Sequence, residues 1–95
     1  MTKPDTTKYS FQPKKVIVTY LALSTLTSPE MLAAIERHAR GDWGDISPDD
    51  ANLNLTAFRR KDRTIFSAYG QGDRRFLIIT DGDLSETTVL LPADY

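Results

Sequence analysis

The chain contains no cysteine, and its 95 residues include a single histidine and a single tryptophan. Without cysteine neither a disulfide framework nor a thiolate metal site can form, so packing must stabilise the fold and no oxidising compartment is needed. No apolar run approaches the ~20 residues that span a bilayer, and the first eight residues lack the apolar core of a signal peptide. We therefore expect a cytoplasmic protein with no membrane partner.

The chain also lacks an excess of charge of either sign. Lysine and arginine number 12 against 13 acidic residues, which gives a net charge of −1. Such a balance provides no general attraction for nucleic acid, and it is far from the acidic excess of a DNA mimic. Nucleic acid is thus disfavoured as a partner, and the length predicts one domain with a modest core.

The amino-terminal part divides into a polar stretch and a first strand. Residues 1–13 are polar with two prolines and predict a mobile tail, which leaves residues 14–95 as a single domain. The run 16–23 is rich in β-branched and aromatic residues, which favours a strand covered on both faces. Its continuation, 21–26, is also compatible with an irregular exit from that strand.

Two predicted helix starts follow, and each consists of a serine, a proline and an acidic residue in succession. The first, at Ser28, predicts a helix that runs to about Arg40 and ends at Gly41. The second, at Ser47, predicts a helix that ends near Arg60. The apolar positions of the first helix share one arc and are expected to face a sheet; they are Met31, Leu32, Ile35 and Ala39.

The last third of the chain predicts three antiparallel strands, 64–69, 75–80 and 87–91, separated by turns rich in glycine and aspartate. The order β-α-α-β-β-β predicts an α+β fold, with a mostly antiparallel four-stranded sheet and two helices packed on one face. If the first or the last strand lies at an edge, it could pair with another chain and form a homodimer.

The segment from His38 to Asp45 gathers the histidine, the tryptophan and three charged side chains, and it has two interpretations. It is either a recognition or proton-transfer site on a loop, or a structural loop in which Trp43 plugs the core and Asp42 or Asp45 caps the backbone. The structural interpretation is favoured for Trp43, because an indole buries ~200 Å² of mostly apolar surface. Asp42, Trp43 and Asp45 are the candidate binding residues.

A catalytic interpretation combines His38 with an arginine such as Arg63 and with Ser67. Small ribonucleases of the barnase and RelE kind use such parts, with arginine neutralising the phosphate and histidine moving protons. The slightly acidic net charge counts against an enzyme that cleaves RNA. The acidic turn 81–83 lacks the further oxygen ligands of a calcium loop, so we expect no metal and no cofactor.

Several spaced motifs resemble those of a family of small proteins encoded on plasmids and other mobile elements, usually labelled plasmid-related proteins. These motifs are His38, residues 41–45, Asn52, and residues 67–69, 78–80, 87–92 and 94–95. The resemblance covers residues 14–95 and departs from the family pattern at 23–25 and 81–85. It implies an accessory role on a mobile element but no activity or catalytic residues. A label sometimes attached to the family, type I restriction subunit, has no basis here, since the chain lacks a Gly-rich cofactor motif.

Two functions remain open from the sequence. The first is a non-enzymatic module that binds another protein through the loop 41–46 and an exposed sheet edge. The alternative is a small nuclease or toxin-like enzyme that uses His38 and an arginine.

Overall fold

A computed structural model describes residues 10–61 and 63–95 and shows a four-stranded sheet in the order β1-β4-β3-β2. The strands are β1 (Lys15–Val18), β2 (Ile65–Tyr69), β3 (Phe76–Thr80) and β4 (Glu86–Leu90), and the helices are α1 (Tyr20–Thr25), α2 (Ser28–Ala39) and α3 (Pro48–Arg60). Short 3₁₀ turns occupy Gly72–Arg74 and Pro92–Asp94. No helix in the described ranges is long and apolar enough to cross a membrane.

The closing three strands form the predicted antiparallel meander, with Ser67 opposite Ile78 and Ile78 opposite Val89. β1 joins the meander parallel to β4, with Val16 opposite Thr87, so the sheet is mixed. The α+β fold and the mostly antiparallel sheet are therefore confirmed. The last strand lies inside the sheet, and the prediction that it could be an edge is wrong; the edges are β1 and β2.

The strand predicted over 16–23 is wrong beyond Val18, because Thr19 ends β1 and begins a helix. The Thr19 hydroxyl accepts from the Ala22 N–H at 3.1 Å and so caps α1. One face of this short helix packs inward through fully buried Ala22, while Tyr20, Leu21 and Leu23 stay exposed. The apolar run 16–23 thus divides into the last three residues of β1 and the first part of a short amphipathic helix.

Both later helices begin where predicted, although α2 is capped one residue earlier. Thr27 and Glu30 form a capping box, in which the Thr27 hydroxyl accepts from the Glu30 N–H and the Glu30 carboxylate accepts from the Thr27 N–H. The bond from the Thr27 backbone is the main reason that the pKa of Glu30 is lowered. Ser47 caps α3 by accepting from the Asp50 N–H at 3.0 Å.

Two apolar clusters fill the core, and their residues on β3 and β4 face opposite sides of the sheet. The first contains Ile78 and Val89 and is covered by α1 and α2; the second contains Leu77 and Leu90 and is covered by Trp43, Ile46 and alanines of α3. In the predicted arc of α2, Met31 and Ala39 are buried and Ile35 is partly buried, whereas Leu32 is 63% exposed and was wrongly assigned to the core. His38, which lies outside the predicted arc, is fully buried.

The outer edge of β2 is closed by two different elements. The Asn54 amide of α3 donates to the Phe66 carbonyl at 2.6 Å and accepts from the Phe66 N–H at 3.0 Å. Two residues further on, the Ala68 N–H donates to the Trp43 carbonyl and the Ala68 carbonyl accepts from the Asp45 N–H. α3 thus lies beside β2, at this edge of the sheet.

The predicted tail over 1–13 falls mostly outside the described residues, which begin at Ser10. Within the described part, the Phe11 N–H donates to the Ala39 carbonyl at 2.9 Å. The Phe11 ring lies edge-on to the His38 ring, with 5.8 Å between centroids, and 6.4 Å from the ring of Phe58. Phe11 thus joins the segment before β1 to both long helices.

Candidate functional site

His38 lies in the interior, 0% exposed, and both of its ring nitrogens are hydrogen-bonded. Nδ1 lies 2.5 Å from the Ser67 hydroxyl of β2 and Nε2 lies 2.7 Å from the Thr80 hydroxyl of β3. The Thr80 hydroxyl is in turn 2.8 Å from that of Thr87 on β4. A helix and three strands are therefore linked by one chain of buried hydrogen bonds. Among the described residues, every buried side-chain nitrogen or oxygen atom has a hydrogen-bond partner.

Burial controls the protonation state of His38. Desolvation lowers the pKa of His38 from 6.5 to about 4, so the ring is neutral at physiological pH. In either neutral tautomer one ring nitrogen donates to a hydroxyl and the other accepts from one. The pair His38 and Ser67 has the composition of a base and a nucleophile, but neither side chain reaches solvent, where a substrate would bind.

The third catalytic candidate, Arg63, lies elsewhere. Its exposed side chain lines an open cavity of about 210 Å³ together with Asn54 and Tyr95. The backbone of Arg63 lies against Gly82, whose absent Cβ leaves room for the close approach of the two segments. The structure thus joins His38 to Ser67 and places Arg63 at a separate surface.

The loop after α2 is anchored by the indole of Trp43, which is 4% exposed and packs in the second apolar cluster. Trp43 is therefore a core plug rather than a surface contact. Gly44 follows with φ +70°, where a Cβ would overlap the Ala68 carbonyl oxygen and lie 2.7 Å from Cδ1 of Tyr69. Only glycine tolerates both this backbone conformation and this close approach.

The aspartate before Trp43 is held by an arginine of α2. Arg37 Nε donates to Asp42 Oδ2 at 2.7 Å and Nη2 donates to Oδ1 at 3.2 Å, and this bidentate bond raises the pKa of Arg37. The guanidinium also lies 4.8 Å from the ring centroid of Tyr69. The Tyr69 hydroxyl donates to the Asp42 carbonyl at 2.8 Å, and burial raises the pKa of Tyr69.

The aspartate after Trp43 projects into solvent. The Asp45 side chain is 78% exposed, and its carboxylate lies 3.9 Å from Arg75 Nη1. It stands at the rim of an open groove of about 460 Å³, which we call the Asp45 groove. The groove is lined by Arg37, Gly44, Asp45, Ala68, Tyr69, Gly70 and Gln71.

No group of three or more histidine, aspartate or glutamate residues is placed to hold a metal ion in the part of the chain that the structure describes. The polar side chains that line the Asp45 groove include Gln71 and two charged residues of opposite sign, Arg37 and Asp45, each in an ion pair with a residue outside the lining. Such groups suit peptide bonds and mixed charges on a protein surface better than a metal or a large apolar cofactor.

Several residues of these sites were missed from the sequence. Thr80 and Thr87 flank the turn after β3, and hairpin register alone would have placed them opposite each other. Arg37 and Gln71 carry no comparable signal, because their approach to the loop depends on how β2 packs against α2.

A comparison with family models, with curated proteins and with solved structures finds no match for this chain.

Proposed function

We propose that the protein is a non-enzymatic module that binds another protein through the Asp45 groove. The observation that carries this proposal is a preformed loop: Trp43 anchors it in the core, and the backbone bonds to Ala68 hold Asp45 in place at an exposed rim. A surface that is already ordered loses little conformational entropy when a partner binds. The candidate binding residues then have separate roles, with Trp43 as anchor and Asp45 as contact.

The charges around the groove indicate what kind of partner fits. Two ion pairs, Arg37 with Asp42 and Arg75 with Asp45, present both signs of charge close together. A partner with mixed charges is favoured over a uniformly anionic one such as nucleic acid, because each ion pair offsets its own field. The resemblance to plasmid-related proteins supports an accessory role on a mobile element, and the absence of cysteine is compatible with the cytoplasm.

Charge reversal tests the proposal. We expect Asp45→Lys to weaken capture of the partner about tenfold or more, which corresponds to about 1.4 kcal/mol. The measurement is affinity capture from the host with mass spectrometry, followed by titration with the purified partner. The control is Asp81→Lys, which makes the same charge change on the exposed turn after β3. A partner lost equally from both variants, or retained by both, would remove the Asp45 groove as the contact.

The nuclease alternative makes a different prediction. If His38 were the base of an exposed active site, His38→Asn would abolish toxicity and RNA cleavage. Because His38 and Ser67 are sealed from solvent, we expect cells that express either form to grow alike with intact RNA. Degraded RNA in cells with the wild type alone would favour the enzyme.

A further inference from the structure

The two edges of the sheet differ in how their backbone groups are satisfied. The outer edge of β2 is closed by Asn54 and by the loop around Gly44. At the other edge, the Thr19 N–H donates to the Val89 carbonyl at 3.0 Å. Alternate residues of a strand direct their N–H and C=O groups to the same side. The backbone N–H and C=O of Ile17 are therefore directed at β4, as the N–H of Thr19 is. The backbone N–H and C=O groups of Val16 and Val18 are therefore directed away from β4, towards the open edge of the sheet.

These outward groups lie beside an apolar surface. Within residues 10–61 and 63–95, the pairing of β1 is with β4, and no backbone bond to another element uses Val16 or Val18. Val16 is 44% exposed, and the next element, α1, adds the exposed side chains of Tyr20, Leu21 and Leu23. An edge that combines backbone donors and acceptors with apolar side chains is suited to adding a strand.

We propose that β1 pairs with β1 of a second copy of this chain, antiparallel, about a two-fold axis beside Ile17. In this register Val16 lies opposite the second copy's Val18, and Val18 opposite its Val16. Both are hydrogen-bonded pairs, and each pair exchanges two N–H···O bonds. The two sheets then become continuous, and the contact is self-complementary, as a two-fold dimer requires.

Charge at the two ends of β1 selects this partner and this direction. The strand begins at Lys15, whose side chain is 69% exposed and whose ammonium lies 3.9 Å from the Glu86 carboxylate of the same chain. It ends beside Thr19, whose hydroxyl donates to the Asp94 carboxylate at 2.7 Å. Antiparallel self-pairing brings each Lys15 opposite Thr19 of the second copy and so close to its Asp94. Parallel pairing would instead bring the two lysines together. Lysine at a sheet edge opposes the addition of arbitrary strands. In the two-fold register Lys15 lies close to the second copy's Asp94, so this register remains favourable.

The first test is the oligomeric state. We expect the wild type to sediment at twice its chain mass of 10.7 kDa. Val16→Pro removes an N–H that no bond to β4 uses, so it should give a monomer with an unchanged circular dichroism spectrum. Val16→Ala keeps that N–H and should remain dimeric. A monomeric wild type, or a dimeric Val16→Pro, would overturn the proposal.

The second test reads the register and holds even if Val16→Pro fails to fold. Because the chain has no cysteine, each introduced cysteine is unique. Across the axis, Ile17→Cys brings two Cα atoms about 4.5 Å apart, within the range of a disulfide. Lys15→Cys puts them about 13 Å apart at ~3.3 Å per residue. We expect only Ile17→Cys to cross-link on mild oxidation.

The matched control for random collision is Leu32→Cys, on an exposed position of α2. Cross-linking of Ile17→Cys that does not exceed this control, or equal cross-linking of Lys15→Cys, contradicts the antiparallel pairing. The edge of β1 is opposite to the Asp45 groove in the sheet order, so the outcome is independent of the proposed function.

Discussion

His38 shows how a titratable residue is accommodated in the core of a small domain. Three hydroxyls, from Ser67, Thr80 and Thr87, form the chain that satisfies its ring. An unpaired imidazole in this position would cost about 1 to 3 kcal/mol. The hydrogen-bond partners of His38 lie 29 and 42 residues away in the chain, and no local sequence pattern indicates them.

This burial predicts a pH dependence of stability. The pKa of His38 falls from 6.5 to about 4 on folding, so its contribution is complete above pH 6.5 and is lost as the pH falls towards 4. Between pH 7.5 and 5 we expect the free energy of unfolding to drop by about 2 kcal/mol, at ~1.36 kcal/mol per pKa unit. Urea denaturation at a series of pH values measures it.

The control for this prediction is His38→Gln, which cannot titrate. It should be less stable at pH 7.5 but lose little further stability down to pH 5. The carboxyls of Glu30 and Asp83 have pKa values lowered from 4.5 and 3.8, so they titrate below this window. Parallel pH profiles for the two proteins would show that His38 is not the cause.

Gly44 is the second residue with a consequence that can be measured. Gly44→Ala would place a methyl group against the Ala68 carbonyl at φ +70°. We expect a loss of about 3 kcal/mol in the free energy of unfolding, from the clash together with the strained backbone. Gly72→Ala is the control, since its φ of +56° is also positive but nothing lies within 4 Å of the added Cβ. It should cost about 1 kcal/mol. Similar losses in both variants would mean that the loop shifts at Gly44 and makes room for the added methyl group.

Among the elements, those with strong local signals were predicted and those set by distant contacts were not. The starts of α2 and α3 follow from a capping hydroxyl, a proline and acids within a few residues. The helix α1 was missed, because Tyr20 and Leu21 favour a strand locally. The Thr19 cap and the packing of Ala22 in the core stabilise a helix there instead. The parallel pairing of β1 with β4 joins residues about 70 positions apart, and hydrophobic periodicity carries no information about such a pairing.

α3 acts on the sheet chiefly through Asn54, whose amide imitates the hydrogen bonding of a neighbouring strand. Asn54→Asp keeps the acceptor for the Phe66 N–H but sets a carboxylate against the Phe66 carbonyl, which loses its donor. We expect a loss of about 2 to 3 kcal/mol at pH 7, measured by thermal or urea unfolding. The control is Asn52→Asp on the same helix, at an exposed position, which should change stability by less than about 0.5 kcal/mol. Equal effects would assign the loss to helix propensity instead.

At the scale of the whole molecule, Phe11 connects parts of the chain that no regular element joins. Its ring contacts His38 of α2 and Phe58 of α3, and its backbone bonds to Ala39. The sequence predicts a mobile tail over residues 1–13, with Phe11 as a candidate to anchor its end. The aromatic contact could not be anticipated, because it requires the relative position of two helices.

Removal of the Phe11 ring should change both the free energy of unfolding and the pKa of His38. We expect Phe11→Ala to lower the free energy of unfolding by about 2 kcal/mol, less than for a fully buried ring. Water that enters the gap should also raise the pKa of His38 towards 6.5, as followed by NMR of the imidazole protons. Phe11→Leu retains most of the volume and should keep the pKa low. An unchanged His38 pKa in Phe11→Ala would show that other groups exclude the water.

The position of β4 between β1 and β3 has a consequence for synthesis on the ribosome. The strand Glu86–Leu90 follows the other three in sequence and separates the first of them from the hairpin, so the sheet stays in two pieces until β4 has emerged. Such distant pairing slows folding. The nascent chain must therefore hold Val16 and Ile78 without their shared neighbour until β4 has been made.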